Sequence, residues 1–150
     1  MTSPEKLAIE CVEEIAKRTT PGDEIRRRFR ARARQLHSDL YYQGVAYVIA
    51  IAAARSERAD VLEKALQLAD CRAFIELALG QKAKAEELSY LLYGGMVLTA
   101  LKKQGVVSST ALADLLKNEL LDPRKASLAS SVALKFAEWT KRMAEAMFSQ

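Results

Sequence analysis

The chain has 150 residues, of which 50 % are hydrophobic and 28 % are charged, and its 23 Lys and Arg against 19 Asp and Glu give a net charge of +4 at pH 7. This balance is typical of a globular protein and excludes a disordered, highly charged polypeptide. The longest apolar run, residues 45–54, is about half as long as the roughly 20 residues needed to cross a bilayer. Charged residues at Glu5, Lys6 and Glu10 argue against a signal peptide. We therefore expect a cytoplasmic protein without a membrane partner.

Helix-favouring residues run through the chain, because Ala and Leu dominate and only six Gly and three Pro interrupt it. The spacing of apolar residues predicts an all-α fold, a compact bundle of about six to seven helices in one domain over residues 1–150. The first helix begins at Ser3 and Pro4, which suit the N-cap and first helical positions. The turn-forming residues 19–22 end it, and Asp23 caps the next helix.

The second and third predicted helices meet at a short joint. The second helix runs to about Leu36, and residues 37–39 form the joint. Either Ser38 or Asp39 caps the third helix, which runs to about Ala54. Because the third helix is apolar on nearly all sides, we predict that it lies at the centre of the bundle.

Two long helices are predicted next. The fourth covers residues 57–79, with Ser56 as a candidate N-cap and Gly80 at its end. The fifth covers residues 83–104 and ends at Gly105. Both carry apolar residues at spacings of three and four, so each is expected to bury one face.

The C-terminal part predicts a short sixth helix and a long final one. Ser109 or Thr110 caps the sixth helix, which ends at Leu116. The last helix begins at Pro123 and runs to about Phe148. Its predicted buried stripe consists of Leu128, Val132, Phe136, Trp139, Met143 and Met147.

The densest charge of the chain lies on the second predicted helix. Between Lys17 and Arg34, eight basic side chains stand against Asp23 and Glu24, so this segment alone carries +6, more than the whole chain. Six arginines fall within nine residues, namely Arg26, Arg27, Arg28, Arg30, Arg32 and Arg34. At 100° per residue, four of them share an arc of about 100°, and the apolar residues cluster on another face. These four are Arg26, Arg27, Arg30 and Arg34.

This arginine stripe indicates a contact with a nucleic-acid backbone. The planar guanidinium group presents a fork of donors that suits phosphate oxygens, and a basic stripe on one helix face is typical of phosphate binding. Arg28 and Arg32 lie on the opposite polar flank, where they are candidates for contact with RNA or with a neighbouring subunit. A solvated or salt-bridged face is the alternative interpretation.

Other aromatic and basic residues are further candidates for RNA or subunit contact. Tyr41 and Tyr42 follow the stripe closely enough to stack on bases, although core or interface positions would also explain them. Two basic pairs join them, although pairing with helix dipoles explains these pairs equally well. They are Lys102 with Lys103, and Lys141 with Arg142.

Catalytic signatures are nearly absent from the sequence. His37 is the only histidine, and its neighbours Ser38 and Asp39 point in different directions on a helix, so no catalytic triad is expected. Cys11 and Cys71 lack metal-ligand spacing, and we expect buried thiols without a disulfide. No catalytic residue, metal, cofactor or small-molecule substrate is therefore predicted.

A pair of glycines interrupts the fifth predicted helix. Gly94 and Gly95 lack the lysine and the preceding strand of a phosphate-binding loop. They indicate a close approach between helices or a local kink.

Three stretches of the chain resemble one family, the small helical subunit of the Cmr complex, which is the type III-B CRISPR RNA-guided effector. The first stretch is LYYQGV at residues 40–45, which opens a long apolar helix that ends near Arg55. The second comprises LSYLLY at residues 88–93 and ALADLL at residues 111–116. The third, WTKRMAEAM at residues 139–147, is similar to the closing Trp-x-x-Arg-x-Ala-x-Ala-Met pattern of the family.

This resemblance implies an all-helical, non-catalytic protein that stacks in a few copies beside the backbone subunits of the complex. Its expected partners are those subunits, other copies of itself, the guide RNA and the target RNA. The expected function is to supply basic surface for the target RNA or the guide–target duplex in antiviral defence. The alternative is a helical adaptor whose arginine face docks an acidic protein without contacting RNA.

Overall fold

The computed structural model describes residues 2–148, and these residues form helices and connecting turns without any strand. The predicted all-α fold is therefore confirmed. The helices are α1 (Pro4–Arg18), α2 (Glu24–Gln43), α3 (Val45–Ser56), α4 (Ala59–Leu68), α5 (Cys71–Leu79), α6 (Ala85–Lys103), α7 (Leu112–Leu115), the π-helical turn Leu116–Leu120, and α8 (Pro123–Met147). Within residues 2–148, no helix is both long and apolar enough to cross a membrane.

The centre of the bundle is α6, and α1, α2, α3, α4, α5 and α8 all pack against it. Every residue from Leu88 to Leu101 is buried. The prediction that the third helix would be central was wrong, because Tyr47 and Ala50 of α3 are exposed. Alanine and tyrosine tolerate both environments, so the composition of α3 did not distinguish a central helix from a peripheral one.

Gly94 and Gly95 let two helices approach α6 closely. A Cβ atom at Gly94 would lie 2.5 Å from the Cβ atom of Ala52 on α3. A Cβ atom at Gly95 would overlap the ring of Phe74 on α5. The predicted close approach is therefore confirmed, with α3 and α5 as the neighbouring helices.

Two predicted helix boundaries were wrong. No joint forms at residues 37–39, because α2 continues to bury its apolar side as far as Leu40. It ends at Gly44, whose φ of 95° suits glycine and whose N–H donates to the Leu40 carbonyl. The predicted fourth helix is two helices, because Ala69 adopts a φ of 48° and the Asp70 side chain then caps α5 through the Ala73 N–H.

Two serines that were predicted to cap helices make other hydrogen bonds instead. Ser56 is the last residue of α3, and its hydroxyl accepts a hydrogen bond from the Arg58 N–H. Ser109 does not cap α7, which begins after Ala111 without a side-chain cap. Instead, the Ser109 N–H and hydroxyl both donate to the carboxylate of Glu119 in the π-helical turn.

Two residues of the predicted stripe of α8 lie at the surface, since Leu128 is 60 % exposed and Trp139 is 43 % exposed. Small side chains occupy the buried side in their place. They are Ala129, Ala133, Ala137, Thr140 and Ala144. The prediction followed the large apolar residues and therefore placed the centre of the buried stripe too far to one side of α8, because alanines line much of the buried side.

A disulfide joins Cys11 on α1 to Cys71 at the start of α5, with a Cα–Cα distance of 5.4 Å. Cys11 is fully buried and Cys71 is nearly so. The expectation of two separate buried thiols was wrong, because the packing of α1 against α5 brings together residues 60 positions apart.

Candidate nucleic-acid interface

The arginines take their positions from the way α2 begins and packs. The Asp23 carboxylate caps the helix by accepting a hydrogen bond of 2.9 Å from the Ile25 N–H. Phe29, Ala33 and Leu36 are fully buried and fix one side of α2 against α6 and α8. The six arginines consequently leave the helix at fixed angles, and their environments differ.

Arg26 turns inward to close the end of α1. Its Nη2 atom donates to the carbonyls of Ala16 and Thr19 at 2.8 and 3.0 Å, and its Nε atom donates to the Thr19 hydroxyl at 2.8 Å. The guanidinium also lies 5.3 Å from the ring centre of Phe148. Carbonyls at a helix C-terminus lack intrahelical partners, so Arg26 satisfies groups of its own fold.

Arg32 is buried between α2 and α6. Its Nε atom donates to the Ser89 hydroxyl at 3.2 Å, and its guanidinium lies 4.0 Å from the ring centre of Tyr90. Gln35 accepts a further hydrogen bond, and Glu86 lies 3.9 Å away. Arg32 therefore joins two helices, whereas the sequence predicted a surface residue.

Arg27 and Arg28 reach the surface beside a shared carboxylate. The Arg27 side chain is 65 % exposed, and its Nη2 atom lies 3.5 Å from Glu24. Arg28 lies 3.2 Å from the same Glu24 and 3.9 Å from Glu86. Pairs this exposed contribute little to stability, so their guanidinium groups remain available to a stronger anionic partner.

Arg34 is half exposed and takes part in a ladder of charges between α2 and α8. Its Nε atom lies 2.9 Å from Glu145, which also lies 3.7 Å from Arg142. The hydrogen bond from Arg34 lowers the pKa of the Glu145 carboxyl. Sequence reasoning missed this ladder, because Arg34 and Glu145 are 111 residues apart and no local pattern links them.

Two residues of the original stripe contribute less to the surface. Arg30 is half-buried, and its Nε atom is buried without a hydrogen-bond partner among residues 2–148. Together with the inward turn of Arg26, this leaves Arg27 and Arg34 as the exposed members of the predicted stripe. They are seven residues apart on one side of α2, which places their Cα atoms about 10 Å apart.

The exposed side of α2 continues from these arginines to a pair of tyrosines. We call it the α2 outer face and define it as Arg27, Ala31, Arg34, Ser38 and Tyr41, all of which are exposed. Tyr42 is also exposed, and its ring packs edge-on against Tyr41 with 5.0 Å between ring centres. A core position for these tyrosines is therefore wrong, and stacking on bases and an interface position both stay predictions.

The remaining predicted contacts have mixed surroundings. The Lys102 ammonium group donates to the carbonyls of Ser108 and Ser109 at 2.8 and 2.9 Å, so it holds the loop after α6. Lys103 is exposed and Lys141 is half-buried.

The only histidine, His37, lies on α2 beside the charged residues that link α2 to α8. Its Nε2 atom is 3.8 Å from the Glu138 carboxylate. Within the described residues, no group of three or more His, Cys, Asp or Glu side chains is arranged to hold a metal ion.

The fold and this surface define an all-helical protein with an exposed basic face that ends in aromatic residues. The model of the family described as CRISPR-associated protein (Cas_Cmr5) matches residues 4–147. The chain therefore belongs to this family, the small subunit of type III-B CRISPR effectors, and the resemblance found in the sequence is confirmed. A search of curated proteins and a search of solved structures each found no match.

Proposed function

We propose that this protein is a non-catalytic subunit that binds target RNA, or the guide–target duplex, through the α2 outer face. The observation that carries this proposal is the exposure of Arg27 and Arg34 on one side of α2, with Tyr41 and Tyr42 at its end. The arginines would bind successive parts of the phosphate backbone, and the tyrosine rings would stack on unpaired bases. Arg28 would add charge at the flank.

The proposed role needs no reading of individual bases by the protein. In an RNA-guided complex, pairing between guide and target reads the sequence, and the protein holds the backbone. Other subunits and further copies of this chain would complete the channel, and catalysis would belong to other subunits. We propose that the complex acts in the cytoplasm in antiviral defence.

The charge around α2 supports a polyanionic partner. Within the described residues, four of the six arginines have ion-pair contacts, and these involve three carboxylates, Glu24, Glu86 and Glu145. Three positive charges of this set are therefore left without a matching carboxylate. Because the exposed pairs are weak, a phosphate backbone would compete well for their guanidinium groups.

Substitution of both exposed arginines tests the proposal. Arg27→Ala with Arg34→Ala should weaken binding of a labelled single-stranded RNA, measured by fluorescence anisotropy across a series of salt concentrations. The slope of log K against log salt should become shallower by roughly 0.7 for each lost phosphate contact. RNAs of different sequence should lose affinity equally.

An arginine on another helix provides the matched control. Arg72 is exposed on α5, and the same double loss of charge is obtained with Arg72→Ala and Arg124→Ala, the latter at the exposed start of α8. These substitutions should change affinity less and leave the salt slope near the wild-type value. Equal effects of the two double variants would contradict a site on α2.

A protein–protein adaptor is the second candidate function, because Arg27, Arg28 and Arg34 already pair with carboxylates in this fold. An acidic partner would use the same groups. Competition between labelled RNA and poly-glutamate of equal charge separates the two functions. Displacement of RNA by equimolar poly-glutamate would favour the adaptor, whereas retention of the RNA would favour RNA binding.

A further inference from the structure

Two arginines from different helices converge on one carboxylate at the edge of the α2 outer face. The Nε atom of Arg34 lies 2.9 Å from Oε2 of Glu145, and Nη1 of Arg142 lies 3.7 Å from its Oε1. Both arginine side chains are more than half exposed, whereas that of Glu145 is 24 % exposed. Each carboxylate oxygen therefore faces a different guanidinium group that is also open to solvent.

The surroundings of this cluster are charged on both helices. Glu138 lies 3.5 Å from Arg142 and 3.8 Å from His37. Lys141 is near enough to help lower the pKa of Glu145. Three cations of α2 and α8, counting Lys141, thus lie around Glu145, and one of them, Arg34, donates a hydrogen bond to it.

We propose that Arg34 and Arg142 form a two-arginine site for one RNA phosphate and that Glu145 occupies this site in the unbound protein. This inference rests on the proposed binding of RNA by the α2 outer face and extends that surface onto α8. Carboxylate and phosphate oxygens accept hydrogen bonds from guanidinium forks in the same geometry. Exposed ion pairs are weak, so a phosphate can displace Glu145. Because these ion pairs must break before the phosphate binds, the protein binds RNA less tightly than it would without Glu145.

The only tryptophan of the chain lies beside the site and can report its occupancy. Trp139 is one helical turn before Arg142 on the exposed side of α8, and its side chain is partly open to solvent. A backbone held by Arg142 would bring a base near the indole ring, where stacking would quench its fluorescence. The quenching amplitude therefore measures occupancy of the α8 side of the surface, independently of overall affinity.

The deciding variant is Glu145→Gln, and Glu76→Gln is its matched control. Glu76 is an exposed carboxylate on α5 that lies 3.7 Å from Arg18, so its loss changes the net charge equally but at another place. Glu145→Gln should bind a single-stranded RNA about two- to five-fold more tightly than the wild type at roughly 50 mM salt. It should also quench Trp139 at least as strongly, whereas Glu76→Gln should gain less affinity.

The effect of Arg142 is the second measurement. Arg142→Gln alone should weaken RNA binding, and in the Glu145→Gln background it should remove most of the gain. Equal affinities of Glu145→Gln and Glu76→Gln would overturn the inference, as would an unchanged affinity of Arg142→Gln. If the wild type binds no RNA, the proposed function fails; binding gained by Glu145→Gln alone would then still support the two-arginine site, and its absence would overturn it.

Discussion

The packing around α6 and the α2 outer face place different constraints on their side chains. Around α6, the identity of each side chain is set by space, so that even a methyl group has no room at Gly95. On the α2 outer face, the exposed Arg27 and Arg34 contact the carboxylates of Glu24 and Glu145. Substitutions in the first region should change stability, and substitutions in the second should change binding. Variants that exchange these effects would break the distinction.

The largest expected effect on stability comes from Gly95→Ala. The added methyl group would overlap the ring of Phe74, which is fully buried and packed on all sides. Overpacking of this kind costs about 2–3 kcal/mol, which corresponds to a fall in the unfolding midpoint of roughly 5–10 °C for a chain of this size. Thermal unfolding followed by circular dichroism measures it.

Gly80→Ala is the control for this substitution, because a Cβ atom at Gly80 would meet only ordinary contacts of 3.5 Å with the carbonyls of Glu76 and Leu77. It should change the midpoint by far less. Similar midpoints for the two variants would show that α5 and α6 do not pack as tightly as the structure indicates.

Arg32 and Arg27 sharpen the comparison, because the same substitution is made on one helix in two environments. Arg32→Ala removes a buried guanidinium that bonds Ser89 and covers Tyr90, together with its packed stem. We expect a loss of about 2 kcal/mol. Arg27→Ala should stay within about 0.5 kcal/mol of the wild type.

Urea unfolding and RNA anisotropy on the same two preparations measure both halves of this prediction. Arg27→Ala should weaken RNA binding more than Arg32→Ala does, provided that Arg32→Ala is measured where it remains folded. If Arg32→Ala proved to be neutral for stability and harmful for binding, its burial between α2 and α6 would have to be rejected.

The all-α fold was predictable from sequence because helix periodicity, few glycines and clear caps all agree. Asp23 caps α2 and Pro123 begins α8 as predicted. Where a break depends on a single backbone angle, as at Ala69, local sequence carries no comparable signal. Alanine has a high helix propensity, so the intrinsic preference of the residue does not account for the φ of 48° at Ala69.

The arginine-rich surface was predictable in its location but not in its membership. Helical angles group Arg26 with Arg27 and Arg34, yet Arg26 bonds the end of α1, which the periodicity of α2 does not register. The roles of Glu145 and Arg142 depend on the packing of α8 against α2. Contacts between residues so far apart in sequence follow from the fold and not from any motif.

The acidic residues Glu119 and Glu145 also differ in this way, since one supports the fold and the other lies at the proposed binding surface. Glu119 is buried and accepts hydrogen bonds from the N–H groups of Ser108 and Ser109 and from the Ser109 hydroxyl. Burial opposes its charged form, yet these hydrogen bonds prevail and lower its pKa below the usual 4.5. The pKa of Glu145 is also lowered, but the arginines that lower it are exposed.

The sign of the resulting pH dependence follows from these lowered values. A carboxyl group whose pKa is lower in the folded state stabilises the fold above its unfolded pKa, and this stabilisation is lost as the pH falls through the folded pKa. Glu119→Gln should therefore reduce the free energy of unfolding by about 1–2 kcal/mol at pH 7 and flatten its decline below pH 4.5. Glu145→Gln should leave both the stability and the decline nearly unchanged. Urea unfolding at a series of pH values measures both variants. An equal flattening by the two would mean that exposure does not distinguish the carboxylates that stabilise this fold from those that a ligand can displace.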